Sequence, residues 1–300
     1  LSGCVIGRSP FDISTVMAAM DEALWPAFYA KAPIADALLD LQGKLLNLPV
    51  YQLLGGKFRD HVPACAVLPI KPSLEATVAV AEQFWERGFR SFTVKVGVDP
   101  KMEVTLVRLI RERFPDAIIR VDANAVMEFD EALALLRKLE PFDLDAAEQM
   151  VRMWDVEGMV DLGRHVAIPM MADESVSSVH DLLDIIKNRA ATVVQTKVAK
   201  NGGVWNIRKL WILAEAAGMR IYPGNHPSTS VATAAVVHLA AAWPGPLLAG
   251  PFAVGISGAF SRDIVVNPLV VENGGVRVPD SPGLGVSLDD AALDELRISA

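Results

Sequence analysis

Five acid and base residues recur along the chain at a near-constant interval. Lys95, Asp122, Glu148, Asp173 and Lys197 stand 27, 26, 25 and 24 residues apart, and Asn225 follows after a further 28. Each closes a short apolar run. Three carboxylates converging on one cavity repel one another unless a cation lies between them. A donor set made only of oxygens suits Mg²⁺, with Mn²⁺ as the alternative, so Asp122, Glu148 and Asp173 are the expected ligands. A lysine acts as a general base only when its pKa falls from about 10.4 to roughly 7–8. A neighbouring divalent cation and partial burial both push it that way. Lys95 and Lys197 are therefore expected as acid/base groups, the alternative being two structural counter-ions of the carboxylates.

A repeated strand–helix unit must position these residues. β-rich runs fall at 63–68, 91–95, 117–122, 144–148, 167–173, 192–197, 220–224 and, weakly, 247–249. Amphipathic patterns fill the gaps at 74–87, 101–114, 129–139, 156–164, 179–188, 204–217 and 231–242. Such alternation predicts βαβ units on a parallel sheet, and eight runs fit a closed (β/α)₈ barrel. The C-terminal ends of barrel strands open on one face, where active sites are built. The interval of about one βα unit thus brings the six polar residues round one mouth, with Lys95 and Lys197 on opposite sides. A doubly wound open sheet is the alternative, but no Gly-x-Gly-x-x-Gly follows the first run.

Length and composition agree. The chain has 300 residues, room for one barrel of about 250 and a smaller unit. Hydrophobic residues make up 52% and the net charge is −8, which excludes a disordered chain and speaks against a nucleic-acid partner. Mean hydropathy is +0.32, yet no apolar run reaches the 18 or so residues of a membrane span. The most apolar stretch, 231–243, reads as a buried helix. Cys4 and Cys65 are the only cysteines, so no disulfide framework is expected and a reducing cytoplasm is the expected setting. Residues 1–60 read as helical, with one helix to about Trp25 and another starting at Pro33 and stopped by Asn47-Leu48-Pro49. The expected division is 1–61 for the helical part of a cap, 62–269 for the barrel and 270–300 for a segment returning to the cap.

Several ordered motifs carry a family resemblance. They are Ala37-Leu38-Leu39-Asp40-Leu41-Gln42-Gly43-Lys44, Pro49-Val50-Tyr51-Gln52-Leu53-Leu54-Gly55-Gly56, Val94-Lys95-Val96-Gly97, Val121-Asp122-Ala123-Asn124, Glu148-Gln149, Ala172-Asp173-Glu174-Ser175, Lys197-Val198-Ala199-Lys200-Asn201-Gly202-Gly203 and Ser281-Pro282-Gly283-Leu284-Gly285-Val286. Together they resemble the enolase superfamily and, within it, the muconate-lactonizing subgroup of the mandelate racemase/muconate lactonizing enzyme family. The resemblance implies an enolase-type modified barrel under an N-terminal α+β cap, of which this sequence carries the helical part. It implies Asp122, Glu148 and Asp173 as magnesium ligands and Lys95 and Lys197 as acid/base groups on opposite faces of a small carboxylate substrate. It implies removal of the proton α to that carboxylate to give a metal-stabilised enolate, then racemisation, epimerisation or cycloisomerisation. It also favours a homo-oligomer.

Three departures from the subgroup stand out. Thr93 replaces the first lysine of Lys-x-Lys and is expected to hydrogen-bond the substrate carboxylate. Met150 replaces the proline of Glu-Gln-Pro. No acidic residue marks the eighth strand end around Gly250-Pro251-Phe252. Asn124 is expected to orient the substrate or Lys197, Glu174 to make a supporting contact, and His226 to touch substrate. Gly202-Gly203 opens a helix and serves either as an anion seat or as a tight turn. The alternative functions are dehydration of a hydroxy acid or hydroxyproline-like substrate, a Schiff-base aldolase built on Lys197, and a catalytically inactive barrel.

Overall fold

The computed structural model describes residues 1–69, 73–250 and 262–297. Four helices open the chain: α1 (Ser2–Val5), α2 (Ile13–Ala23), α3 (Phe28–Leu46) and α4 (Val50–Leu53). α3 starts at Phe28, not at Pro33, which lies inside it. Proline costs a helix the bond to the carbonyl four residues back. Here that carbonyl belongs to Tyr29, in the first turn of a residue that is 62% exposed, where water can replace the missing donor. Asn47 ends α3 in the left-handed region (φ 57°), as its Asn-Leu-Pro context predicts.

The expected run 63–68 is split. β1 (His61–Pro63) pairs antiparallel with β10 (Gly275–Arg277), which pairs with β9 (Val271–Glu272), while β2 (Ala66–Leu68) begins the barrel. The chain changes sheet at Ala64–Cys65: the Ala64 N–H donates to Gly274 O and the Cys65 N–H to Gly250 O. Strand and helix then alternate: α5 (Leu74–Glu86), β3 (Ser91–Lys95), α6 (Pro100–Arg113), β4 (Ile118–Asp122), α7 (Phe129–Leu139), β5 (Ala146–Glu148), α8 (Val156–His165), β6 (Met170–Ala172), α9 (Val179–Asn188), β7 (Val193–Lys197), α10 (Val204–Ala216), β8 (Arg220–Gly224) and α11 (Ser230–Ala242). α12 (Asp290–Leu296) closes the described chain. The strands pair in parallel in sequence order from β2 to β8, the topology of an enolase-type barrel.

The eighth position is thin. Residues 247–249 form no strand, although the Leu248 N–H donates to Ile221 O (2.9 Å) and Gly250 bridges to Ala64. Pro244 and Pro246 bring no donors to this approach, and few ladder bonds remain among the described residues. Of the Gly250-Pro251-Phe252 departure, Pro251 and Phe252 lie outside the described residues.

Strand alternation sorts the core. Phe92 and Val94 face the helices, while Thr93 and Lys95 face the barrel interior. There a small cluster of Cys65, Ala146, Met171, Val193 and Tyr222 stands apart from the large outer core. α11 is buried on nearly every side, as its composition predicts. Among the described residues no helix is long and apolar enough to cross a membrane. Residues 280–284 return to the opening helices: Gly283 O accepts from Val50 N–H (2.9 Å), and Asp40 Oδ1 accepts from Leu284 N–H (2.8 Å). A Cβ on Gly43 would meet Gly283 Cα at 2.7 Å, so this crossing requires glycine.

Candidate active site

The parallel register places Lys95 beside Asp122 and Asp122 beside Glu148 on β3, β4 and β5. Asp173 lies one residue past β6, and Lys197 ends β7. These five residues therefore meet at the C-terminal mouth, as their spacing predicts. The sixth, Asn225, turns away: its Nδ2 donates to Thr233 Oγ1 (3.1 Å) and it is buried in the turn into α11.

Each lysine sits on an aspartate. Lys95 Nζ donates to Asp122 Oδ2 (2.5 Å) and to Asn124 Oδ1 (2.7 Å). Lys197 Nζ donates to Asp173 Oδ2. Asp173 is also held from behind, with Lys200 Nζ 2.9 Å from its Oδ1 and donating to the carbonyls of Asp173 (2.5 Å), Val176 (2.7 Å) and Gln195 (3.1 Å). Glu148 lies between the two pairs, its Oε1 accepting from Gln195 Nε2 (2.6 Å).

Burial, with Asp122 and Asp173 next, pushes the Glu148 carboxyl well above its ordinary value. Burial pushes Asp173 the same way, but Lys200 and Lys197 outweigh it and hold that carboxyl well below the usual range. Burial would lower Lys197, yet Asp173 and Glu148 outweigh it and the net shift is upward. Lys197 is thus shifted opposite to the direction that general-base work needs. Lys200, more deeply enclosed, is pushed down by burial.

The remaining expected residues divide. Thr93 is one layer below the mouth and 2% exposed; its Oγ1 lies 3.2 Å from Tyr222 Oη and 3.3 Å from Cys65 Sγ. Its hydroxyl is committed to the barrel floor and does not face a substrate in the mouth. Thr93 lies two positions before Lys95, and the rise along the strand sets that difference in depth. Asn124 orients Lys95, not Lys197. Its left-handed backbone (φ 46°) lets its N–H donate to Asp122 Oδ1 (2.8 Å) while its side chain turns to the Lys95 side. His226 is half-buried over the mouth, its ring 5.7 Å from that of Tyr29 on α3, and its Nδ1 is buried without a partner among the described residues. Burial, then Lys197, pushes its pKa down. At Gly202-Gly203 the tight turn prevails. A Cβ on Gly203 would meet Ala35 Cβ and Asp36 Oδ1 at 2.9 Å, and the helix N-terminus is taken by Asp36, which accepts from Val204 N–H (2.9 Å).

Sequence reasoning did not single out Lys200, Gln195, Gln149 or Asp36. Gln195 was readable, being two residues before Lys197 on the same strand face. Gln149 follows Glu148, and its Oε1 accepts from the N–H groups of Asp173 and Ser175.

Among the described residues, no group of three His, Cys, Asp or Glu is placed to hold a metal with its side chains as they stand. Asp122 and Asp173 have oxygens turned onto lysines. The donor set still fits a hard divalent cation. It offers three carboxylates from adjacent strands, and the upward shift of Glu148 registers the two anions beside it.

Comparison with known proteins identifies the family. Residues 76–292 match the enolase C-terminal domain-like family model, and residues 1–55 match the mandelate racemase/muconate lactonizing enzyme N-terminal domain. The chain belongs to the mandelate racemase/muconate lactonizing enzyme family. Within this branch of the enolase superfamily, it is 33% identical to an N-succinyl-L-Arg/Lys racemase of Bacillus cereus, over 99% of this chain and 80% of that one. It is 31% identical to an L-Ala-D/L-Glu epimerase of Clostridium acetobutylicum, over 94% and 78%. A solved muconate cycloisomerase from Pseudomonas fluorescens superposes with a TM-score of 0.93 at 31% identity, covering 99% of this chain and 82% of that one. The chain is an enolase-superfamily enzyme of the group that holds racemases, epimerases and cycloisomerases.

Proposed function

We propose that this family member is a Mg²⁺-dependent racemase or epimerase of a small carboxylate, with Lys95 and Lys197 as its two proton-transfer groups. The observation that carries this reading is the pair of lysines on β3 and β7, four strands apart, with Glu148 between them. Inversion at a carbon needs one group on each face of it, one to remove the proton and one to return it.

Asp122, Glu148 and Asp173 would hold the cation. When bound, it would supply positive charge to the developing oxyanion and neutralise the carboxylates that now hold Lys197 protonated. Lys197, already partly desolvated, would then lose the attraction that raises its pKa. Asn124 holds the ammonium of Lys95 at the mouth, and Lys200 keeps Asp173 charged and oriented. His226 and Tyr29 close the side nearest α3, where the unpartnered His226 Nδ1 offers the substrate a polar contact.

The relatives named for N-succinyl-arginine/lysine and for Ala-Glu support an acylated amino acid or dipeptide as the substrate class. Cycloisomerisation is the second reading, favoured by the likeness to muconate cycloisomerase. The test is a solvent-deuterium screen with both enantiomers of N-succinyl-arginine, Ala-Glu dipeptides and muconate. Incorporation at the α carbon that stops with EDTA and returns with Mg²⁺ supports the proposal. Turnover unaffected by both chelation and Lys197→Ala overturns it.

A further inference from the structure

We propose that Glu174 is a positioning residue for Lys95 alone, acting by fixing which way the Asn124 amide faces. This rests on the reading of Lys95 and Lys197 as the two proton-transfer groups. The geometry is a chain of three side chains. Lys95 Nζ donates to Asn124 Oδ1 at 2.7 Å, and Asn124 Nδ2 donates to Glu174 Oε1 at 3.2 Å. The other Glu174 oxygen, Oε2, is buried with no partner among the described residues, so the bond from Asn124 is the one side-chain tie of this half-buried carboxylate.

An ionised carboxylate only accepts, an ammonium only donates, and a primary amide does both from opposite ends. With Glu174 on one side and Lys95 on the other, only one amide orientation satisfies both: Nδ2 towards Glu174 and Oδ1 towards Lys95. Without Glu174, only the Lys95 ammonium itself opposes the flipped amide, and the Asn124 side chain loses the contact that anchors its Nδ2 end. Lys95 needs this support because its side chain is 29% exposed, against 10% for Lys197. Lys197 has no amide partner among the described residues: its Nζ is held by Asp173, itself fixed by Lys200. The effect of Glu174 is therefore one-sided.

That asymmetry separates positioning from structural damage. In Glu174→Ala and Asn124→Gly, α-proton exchange is expected to slow about tenfold or more for the one enantiomer that Lys95 serves, and to stay within about twofold for the other. Glu174→Gln keeps an acceptor oxygen and is expected to return exchange towards the wild-type rate. A second measurement needs no substrate. The rate at which a limiting succinimidyl ester modifies Lys95, read by peptide mass spectrometry against Lys187 as the exposed standard, is expected to rise in the Ala and Gly variants. Equal slowing of both enantiomers, or unchanged exchange together with unchanged Lys95 modification, overturns the proposal. If the wild type exchanges neither enantiomer of any screened substrate, the functional reading fails, and the modification rate alone decides whether Glu174 positions Lys95.

Discussion

The two sides of the barrel mouth carry the same pair, a lysine on an aspartate, supported in opposite ways. On the β3–β4 side, Lys95 is partly exposed and its partners are Asp122 and a side-chain amide. On the β6–β7 side, Lys197 and Asp173 are buried, and a second buried ammonium, Lys200, ties Asp173 to three backbone carbonyls. Asn201 continues that clamp, its Oδ1 accepting from the Lys197 N–H and its Nδ2 donating to Val176 and Ser177 carbonyls. Asp36 of α3 extends it to the opening helices through Val204. One side is set by exchangeable polar contacts near water. The other is a buried network in which both ammonium groups, Lys197 and Lys200, lie on Asp173, and such a network is costly to disturb.

The largest expected effects fall on the lysines themselves. Lys197→Ala and Lys95→Ala should each abolish inversion, and each should slow α-proton exchange by about 10²–10⁴-fold in one enantiomer while sparing the other. Loss of exchange from both enantiomers in either variant, measured by NMR in D₂O, would break the two-sided assignment.

Next comes Lys200→Met. It leaves three carbonyls and Asp173 without their buried cation, and should cost roughly 3–5 kcal/mol in urea denaturation. Lys95→Met removes a partly exposed ammonium from buried Asp122 and should cost less than Lys200→Met. Comparable losses would show that the two sides are equally rigid.

Glu148, between the sides, probes their common charge. Its carboxyl is shifted upward in the folded chain. Its contribution to stability is therefore full below the ordinary glutamate value and is lost as pH rises through the folded value. Glu148→Gln should remove that loss and stabilise the cation-free protein at neutral pH by on the order of 1 kcal/mol. Added Mg²⁺ should raise the melting temperature of the wild type more than that of the variant. An unchanged pH slope in the variant would disprove the upward shift at Glu148.

A further effect is expected at Asp36, which burial pushes up to about 7. Stability from this group is present below its ordinary value of 3.8 and lost as pH rises towards about 7. Asp36→Asn keeps an acceptor for Val204 N–H and should flatten thermal stability across that window. Persistence of the full slope would separate Asp36 from the Lys197 side.

The sequence made one side of this comparison more legible than the other. Lys95, Asp122, Glu148, Asp173 and Lys197 were readable because the barrel repeats at one βα unit and each residue ends a strand. α7 and α9 match their patterns end to end, since the capping boxes Glu128/Glu131 and Ser178/Asp181 mark their starts locally. The clamp is a tertiary property. Nothing local in Lys-Val-Ala-Lys says that the second ammonium is enclosed, and nothing links Asp36 to Val204 until α3 packs against Gly203. Thr93 was misplaced because its depth depends on how far down the barrel its layer lies, and strand periodicity gives the face without the depth. The split of β1 from β2 was hidden because both halves share one β-rich run.

Among the described residues no strand lies between β8 and β2, and this leaves a seam. It is held by the Leu248 and Gly250 bonds and, from inside, by buried Arg120, whose Nη1 donates to Ala249 O at 3.3 Å while its guanidinium lies over the Tyr222 ring. Amides along this seam should exchange with solvent through a local breathing motion that leaves the seven-strand ladder paired. The five residues of the mouth lie on β3 to β7 and their ends, the arc away from the seam. The barrel can therefore breathe at its thinnest stave while the distances that govern proton transfer stay fixed.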